Sequence, residues 1–339
     1  MFEAFRAAMA GALLAIGVLA PAAQAADPIV IKFSHVTAPD TPKGKGAARF
    51  KELAEAYTAN AVRIEVYPNS QLYKDKEELE ALQLGSVQML APSISKFGPF
   101  GVREYEVFDF PYIFPSTQVL RKVTQGEVGT SLFKKLESRG VVGLGYWDNG
   151  FKIMSANKPL RTPDDFVGLK MRIKSSKVLE AQMTRLGAVP QVMAFSEAYQ
   201  ALQIGVVDGT ENTPANMFTQ KMHEVQKHAT LTFHGFDGYA VIVNKPFWDG
   251  LPAEIRVNLT KAMNEATEYT NSIAQAENDA ALIAMRARGT TTFLELNKEQ
   301  VAAWRDFLLP VRKEMLARLG PDAQGMLDKI TAISKAEGF

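Results

Sequence analysis

Hydrophobic and polar positions follow two periods along this chain, and the switches between them mark its elements. Val62, Ile64 and Val66 alternate with Arg63, Glu65 and Tyr67, the period of two expected of a half-buried strand; Ile29 to Ser34 and Val87 to Ala91 read as further strands. After the turn-forming Ala38-Pro39-Asp40, Phe50, Leu53, Ala54 and Tyr57 fall at i, i+3, i+4 and i+7 and predict an amphipathic helix. Asp75 and Glu78 have the spacing of a capping pair for a helix ending at Gly85. Val141 to Trp147 and Tyr239 to Val243 are strands, with Asp148-Asn149-Gly150 a natural place for the chain to cross to a second half. From Pro252 to Arg288 the pattern is helical for roughly 36 residues, about 54 Å, which is longer than one small domain needs. Gly289 stops it. A strand near Thr291 to Leu294, an Asn297-to-Gln300 capping box and a helix interrupted at Pro310 complete the chain.

The most informative stretch runs from Phe166 to Pro214. In a strand over Gly168 to Lys174, Leu169, Met171 and Ile173 share one face while Lys170, Arg172 and Lys174 share the other. Ser175 is placed to cap a helix carrying Val178, Leu179, Met183 and Leu186, which Gly187 ends. Ser196 caps a second helix that Gly205 ends; Val206-Val207 starts a strand, and the chain turns at Asp208-Gly209 into Glu211-Asn212. Arg172 and Asn212 therefore sit near two strand exits, the rim where α/β sheets bind ligands. A cation on a strand's polar face is, taken alone, an ordinary solvated edge residue.

An internal echo supports two related halves. Ala81-Leu82-Gln83-Leu84-Gly85-Ser86-Val87 recurs 120 residues later as Ala201-Leu202-Gln203-Ile204-Gly205-Val206-Val207, each copy a helix end, a glycine stop and a strand start. By that logic Ser93 corresponds roughly to Asn212, and a ligand between the halves could meet both. Lys43 stands at or just before a helix N-terminus, where a cation is mildly unfavourable; it is either a partner for a bound anion or a solvated lysine. The aromatic run Phe108 to Phe114, broken by Pro111, reads as core packing.

Composition then narrows the function. Met1 to Arg6, the apolar run Ala7 to Ala20 and Ala23-Gln24-Ala25 form the three regions of an export signal over residues 1–25, cleaved near Ala25. With 38 basic and 37 acidic side chains the formal charge is +1, which argues against a nucleic-acid partner. Zero cysteines exclude disulfides, thiolate chemistry and Cys-ligated metal. The search for an enzyme finds no G-x-S-x-G elbow, Walker loop or H-E-x-x-H, and Gly143-Leu144-Gly145 lacks the third glycine of a dinucleotide fingerprint. Glu197, Asp208 and Glu211 could be paired carboxylates, or first-turn helix charge and a turn. No cofactor is expected.

The order Gly168-Leu169-Lys170-Met171-Arg172, then Leu186 to Pro190, then Met193 to Asn212 resembles the solute-binding proteins of tripartite ATP-independent periplasmic (TRAP) transporters. Asp40 to Gly46 and Tyr67 to Leu72 match the branch that binds C4-dicarboxylates, and the likeness covers the whole mature chain. The resemblance implies an α/β, two-domain periplasmic binding protein with a hinge and a long domain-spanning helix. Residues 26–149 plus 238–277 would form one domain, and 150–237 plus 278–339 the other. It implies a monomer that captures malate, succinate or fumarate and delivers it to a permease of small and large membrane subunits. Arg172 would clamp one carboxylate and Asn212 add an amide donor. Lys43 and Lys152 would meet the second carboxylate, Ser93 supply a hydroxyl contact and Phe195 an apolar wall; Lys152 departs from the N-G-x-R pattern of many relatives. A monocarboxylate or sugar acid on the same fold, or a periplasmic carboxylate-processing enzyme, are the alternatives. Intact mass of the protein recovered from the periplasm should begin at Ala26 or an adjacent residue; a membrane-bound chain retaining Met1 would refute the export reading.

Overall fold

The computed structural model describes residues 27–339, so the export signal expected over 1–25 lies outside the described residues. The chain begins β1 (Ile29–Ser34), α1 (Pro42–Tyr57), β2 (Val62–Tyr67), α2 (Glu78–Gln83), β3 (Met89–Leu90), followed by 3₁₀ turns at Ile94–Phe97 and Arg103–Asp109. Next come α3 (Thr117–Thr124), α4 (Glu127–Glu137), β4 (Val141–Phe151), β5 (Ile153–Ala156), β6 (Lys170–Ile173), α5 (Lys177–Arg185) and β7 (Val189–Val192). After a 3₁₀ turn at Phe195–Glu197 follow α6 (Ala198–Gln203), β8 (Gly209–Asn212), α7 (Pro214–Thr219), β9 (His228–Leu231) and β10 (Phe236–Asn244). The chain ends α8 (Lys245–Gly250), α9 (Ala253–Arg288), β11 (Thr292–Glu295), α10 (Lys298–Leu308), α11 (Pro310–Leu319), α12 (Pro321–Ala336).

Two mixed sheets result, ordered β2-β1-β3-β10-β4 and β11-β9-β5-β8-β6-β7. β4 belongs to the first sheet and β5 to the second, with Lys152 alone between them, and the chain returns from β9 to β10 through residues 232–235. The Lys152 amide donates to the Gly235 carbonyl at 2.8 Å and ties the two crossings together. Helix α9 supports them. Asn271 and Asn278, seven residues and about two turns apart, share one buried face of it. Asn271 Oδ1 accepts the Asp148 amide at 2.7 Å, and Asn278 Oδ1 accepts the Ala215 amide of α7 at 3.0 Å.

The repeated A-L-Q-x-G motif ends α2 and α6 in the same way, with Gly85 at φ +75° and Gly205 at φ +73°, the left-handed conformation that lets a helix stop in one residue. Phe108, Phe110 and Phe114 are buried core, as their sequence pattern predicts. Other boundaries move. The cap of α5 is Ser176, whose Oγ accepts the Leu179 amide, not Ser175. Ser196 lies inside a 3₁₀ turn and caps nothing. The chain bends over residues 206–208, where the Asp208 carboxylate accepts the Lys170 amide at 2.8 Å, and β8 starts at Gly209 rather than Val206. Val311, Met315, Ala323, Met326 and Ile330 join Phe108, Phe114, Val119, Leu120 and Val178 in one core cluster, in which α11 lies against α5 and α12 against α3 and the Arg103–Asp109 turn.

Packing between α1 and α9 is close enough to require a glycine. A Cβ built on Gly46 would lie 2.1 Å from Thr270 Oγ1, and that hydroxyl is already committed to the Ala266 carbonyl at 2.7 Å. Gly46→Ala should therefore destabilise by about 1–3 kcal/mol, the usual cost of overpacking, although alanine is the better helix former. Thermal melts of the two proteins check this; an unchanged or raised midpoint would show that α9 can move aside.

Candidate ligand-binding site

The strands that end at the junction of the sheets contribute residues at their C-terminal ends or in the segments that follow. Thr37 and Lys43 follow β1, Ser93 follows β3, Arg172 and Lys174 end and follow β6, Phe195 follows β7, and Asn212 closes β8. These residues line a single, nearly closed cavity of about 20 Å³, room for roughly one water molecule. Tyr239 and Asp237 of β10, Asn216 of α7, and Asp75 and Lys96 complete its polar wall. A larger groove of about 790 Å³ between α1 and α9 is open and lined mainly by surface charges such as Arg49, Glu52 and Glu268.

Four cations face the cavity, and they divide into two kinds. Lys96 Nζ is 3.1 Å from Asp75 Oδ2 and 2.9 Å from Glu78 Oε1. Lys174 Nζ pairs with Asp237 Oδ1 and donates to Ser93 Oγ at 3.1 Å. Burial opposes the charge of Lys174, but Asp237, Glu211 and Asp109 together outweigh it and the pKa lies above the ordinary value. Asp75 and Asp237 are held below the usual carboxylate range: burial works to raise both, and it is overcome at Asp75 by Lys96 together with Arg172 and at Asp237 by Lys174 together with Lys152. Lys174 and Asp237 thus form a one-to-one pair, while Lys96 is held between two carboxylates, Asp75 and Glu78.

Lys43 and Arg172 have no ion-pair partner among the described residues. Lys43, fully buried, donates to the Ala91 carbonyl at 3.1 Å and sits 3.8 Å above the Tyr239 ring. Burial pulls its pKa from 10.5 down to about 7, against the pull of Glu78. Arg172 is 1% exposed; its Nε and Nη2 both donate to the Met193 carbonyl, at 3.1 and 2.8 Å, and its guanidinium lies 5.8 Å from the Phe195 ring centre. Burial lowers its pKa, opposed first by Asp75. With one edge of the fork fixed on a carbonyl, the Nη1 side makes no protein hydrogen bond among the described residues. Asn212 completes this end. Its Oδ1 accepts from the Thr213 amide at 2.9 Å and from Asn216 Nδ2 at 3.0 Å, so its own Nδ2 is the free donor.

Of the residues singled out from sequence, Arg172, Asn212, Lys43, Ser93 and Phe195 come together in this cavity and Lys152 does not. Lys152 Nζ lies 2.6 Å from Glu211 Oε2, which His234 Nε2 also approaches at 3.0 Å; all three are at most 1% exposed. Glu211 is held well below its ordinary pKa, burial being overcome chiefly by Lys152. Lys152 is spent on that carboxylate. Lys174 takes the place expected of it, and its signal was present: two residues beyond Arg172, it shares the same strand face. Lys96 is three residues past Ser93, one 3₁₀ turn on. Asp75 does not cap α2, which has no side-chain cap bond; it crosses the cavity wall instead, its Oδ1 accepting the Phe195 amide at 3.2 Å.

Two mixed sheets joined by crossing strands, with buried cations at their shared rim, define a two-domain α/β solute-binding protein. The comparisons agree: the model for bacterial extracellular solute-binding protein, family 7 (DctP), matches residues 33–319. This chain belongs to that family, whose members bind solutes for TRAP transport and are not enzymes. It is 69% identical over 307 residues to the C4-dicarboxylate-binding periplasmic protein DctP of Rhodobacter capsulatus, covering 91% of this chain and 92% of that protein. A TRAP periplasmic solute-binding protein from Shewanella oneidensis with bound succinate superposes with a TM-score of 0.87 at 38% identity, covering 90% of this chain and 99% of that one. One from Pseudomonas aeruginosa PAO1 with bound L-malate gives 0.82 at 42% identity, covering 85% and 100%.

An unpaired buried cation destabilises the protein that holds it. Lys43→Met keeps the volume and removes the charge, so it should raise the melting temperature of the ligand-free protein, by about 1–3 kcal/mol of stability at pH 6. The folded-state pKa is lowered, so the penalty is complete below pH 7 and fades as pH rises from 7 towards 10.5, where the unfolded chain holds the extra proton. Melts from pH 6 to 9 should show the gain shrinking; a variant less stable than the parent at pH 6 would contradict this.

Proposed function

We propose that this protein captures C4-dicarboxylates such as succinate and malate in the periplasm and delivers them to a TRAP permease of small and large membrane subunits. The observation that carries the reading is which cations are paired. Of four cations in one cavity, two are ion-paired with the protein's own carboxylates, and the other two, Lys43 and Arg172, have no ion-pair partner among the described residues. A ligand with two carboxylates matches both. A monocarboxylate leaves one cation buried and unmatched, which costs several kcal/mol. The names and bound acids of the relatives agree with this choice.

Arg172 takes one carboxylate on the side of its guanidinium away from Met193, with the Asn212 amide beside it. Lys43 takes the other and regains its full charge on doing so, because an adjacent anion raises a lysine pKa. The two sheets close over the ligand about the crossings near Asn149 and Phe236, with α9 running past both.

Titration calorimetry tests the reading. Succinate should bind far more tightly than butyrate. Arg172→Ala should cost about 3–5 kcal/mol, or roughly two to three decades of affinity, and Arg172→Lys should also weaken binding clearly because the planar fork is lost. Circular dichroism should show both variants folded and melting cooperatively, since Met171 and Ile173 supply the buried face of β6. A folded Arg172→Ala protein binding succinate within threefold of the parent would overturn the assignment.

A further inference from the structure

One polar atom in the cavity wall does not suit a carboxylate ligand. Asn216 is 3% exposed, lines the cavity, and its Oδ1 has no hydrogen-bond partner. Which end of this amide is the oxygen follows from a short chain of donors. The Thr213 amide can only donate, so the Asn212 atom it meets at 2.9 Å is Oδ1. That oxygen in turn requires a donor from Asn216, so the atom 3.0 Å away is Nδ2, which also donates to the Tyr239 hydroxyl at 3.2 Å. The unpartnered atom is therefore an acceptor. Thr213 caps α7 through the Asn216 amide and receives Asn149 Nδ2 at 2.9 Å, which fixes the backbone beneath the side chain.

A buried acceptor without a donor is unfavourable, and the ionised carboxylates of a diacid carry no proton to offer it. A hydroxyl does. We infer that Asn216 determines specificity: its Oδ1 accepts the hydroxyl of a 2-hydroxy dicarboxylate whose carboxylates meet Lys43 and Arg172. The other acceptors in the wall already receive donors: Asp75 and Asp237 from Lys96 and Lys174, and Thr37, Ser93, Asn212 and Tyr239 from Thr41, Lys174, Thr213 and Asn216 respectively. The inference rests on the dicarboxylate reading and adds a ranking to it. Because the acceptor is fixed relative to two carboxylate anchors and the buried walls of the cavity constrain the side on which the C2 hydrogen lies, the site also separates enantiomers.

Calorimetry on the intact mature protein with succinate, L-malate, D-malate and 2-methylsuccinate tests this without any variant. One malate enantiomer should bind about tenfold more tightly than succinate and than either methylsuccinate enantiomer, which fills the same place with no donor. The other enantiomer should show no gain. Asn216→Leu and Asn216→Ala should then bring the malate-to-succinate ratio to within about twofold of one. A parent that binds succinate as tightly as both malates overturns the role of Asn216 and leaves the dicarboxylate reading standing. So does a folded variant that keeps the parent's ratio. A parent that binds none of the four acids overturns both.

Discussion

The electrostatic cost of holding Lys43 and Arg172 out of water without counter-ions is the constraint on which the rest of this structure turns. Burial alone does not distinguish them. Lys152 is equally buried, yet Glu211 neutralises it and His234 completes the cluster, so those charges are satisfied within the protein. Lys43 is instead left with a carbonyl and an aromatic face, and its lowered pKa measures how poorly these replace water. One molecule thus contains a compensated buried cluster beside an uncompensated one, and the second lies on the cavity.

Holding such groups in place takes rigid support, and the topology supplies it from several directions. Lys43 stands in the first turn of α1, pressed against α9 through Gly46; Arg172 is a strand residue whose neighbours Met171 and Ile173 are fully buried. The asparagines of α9 reach the crossing strand β4 and the start of α7, so the helix that runs past both sheets also fixes the wall that carries Asn216. Sites on strand ends and first helical turns are positioned by the cores behind them, which is why the cavity needs few residues from long loops.

The sequence read well wherever a local period or a stop residue decides structure. The alternation at Val62 to Tyr67, the helix ending at Gly289 and the repeated glycine stops all appear where the pattern places them. Arg172 and Asn212 were legible for the same reason, since strand ends at a shared rim follow from chain order. Partnerships across the chain were not. Asp75 has the spacing of a cap, but Lys96 and the Phe195 amide are stronger partners for its carboxylate than a short helix start, and neither is near it in sequence. The same non-local competition turned Lys152 inward to Glu211 and left Lys174 for the cavity. The apolar stripe of α12 announces that it packs, but not on which half.

The division of the four cations has an energetic reason as well as a chemical one. A folded domain is stable by roughly 5–15 kcal/mol, and an isolated buried ion costs several kcal/mol even after relaxation. Four unpaired cations in one cavity would exceed that margin, whereas two leave the fold standing. Asp75, Glu78 and Asp237 let Lys96 and Lys174 remain in the wall as hydrogen-bond donors without leaving either cation unpaired. Two cations without an ion-pair partner therefore approach the most that a fold of ordinary stability can hold ready, and a dicarboxylate brings one carboxylate for each. On this account the fold gives up stability in the ligand-free state at Lys43 and Arg172, and a ligand of matching charge restores it on binding.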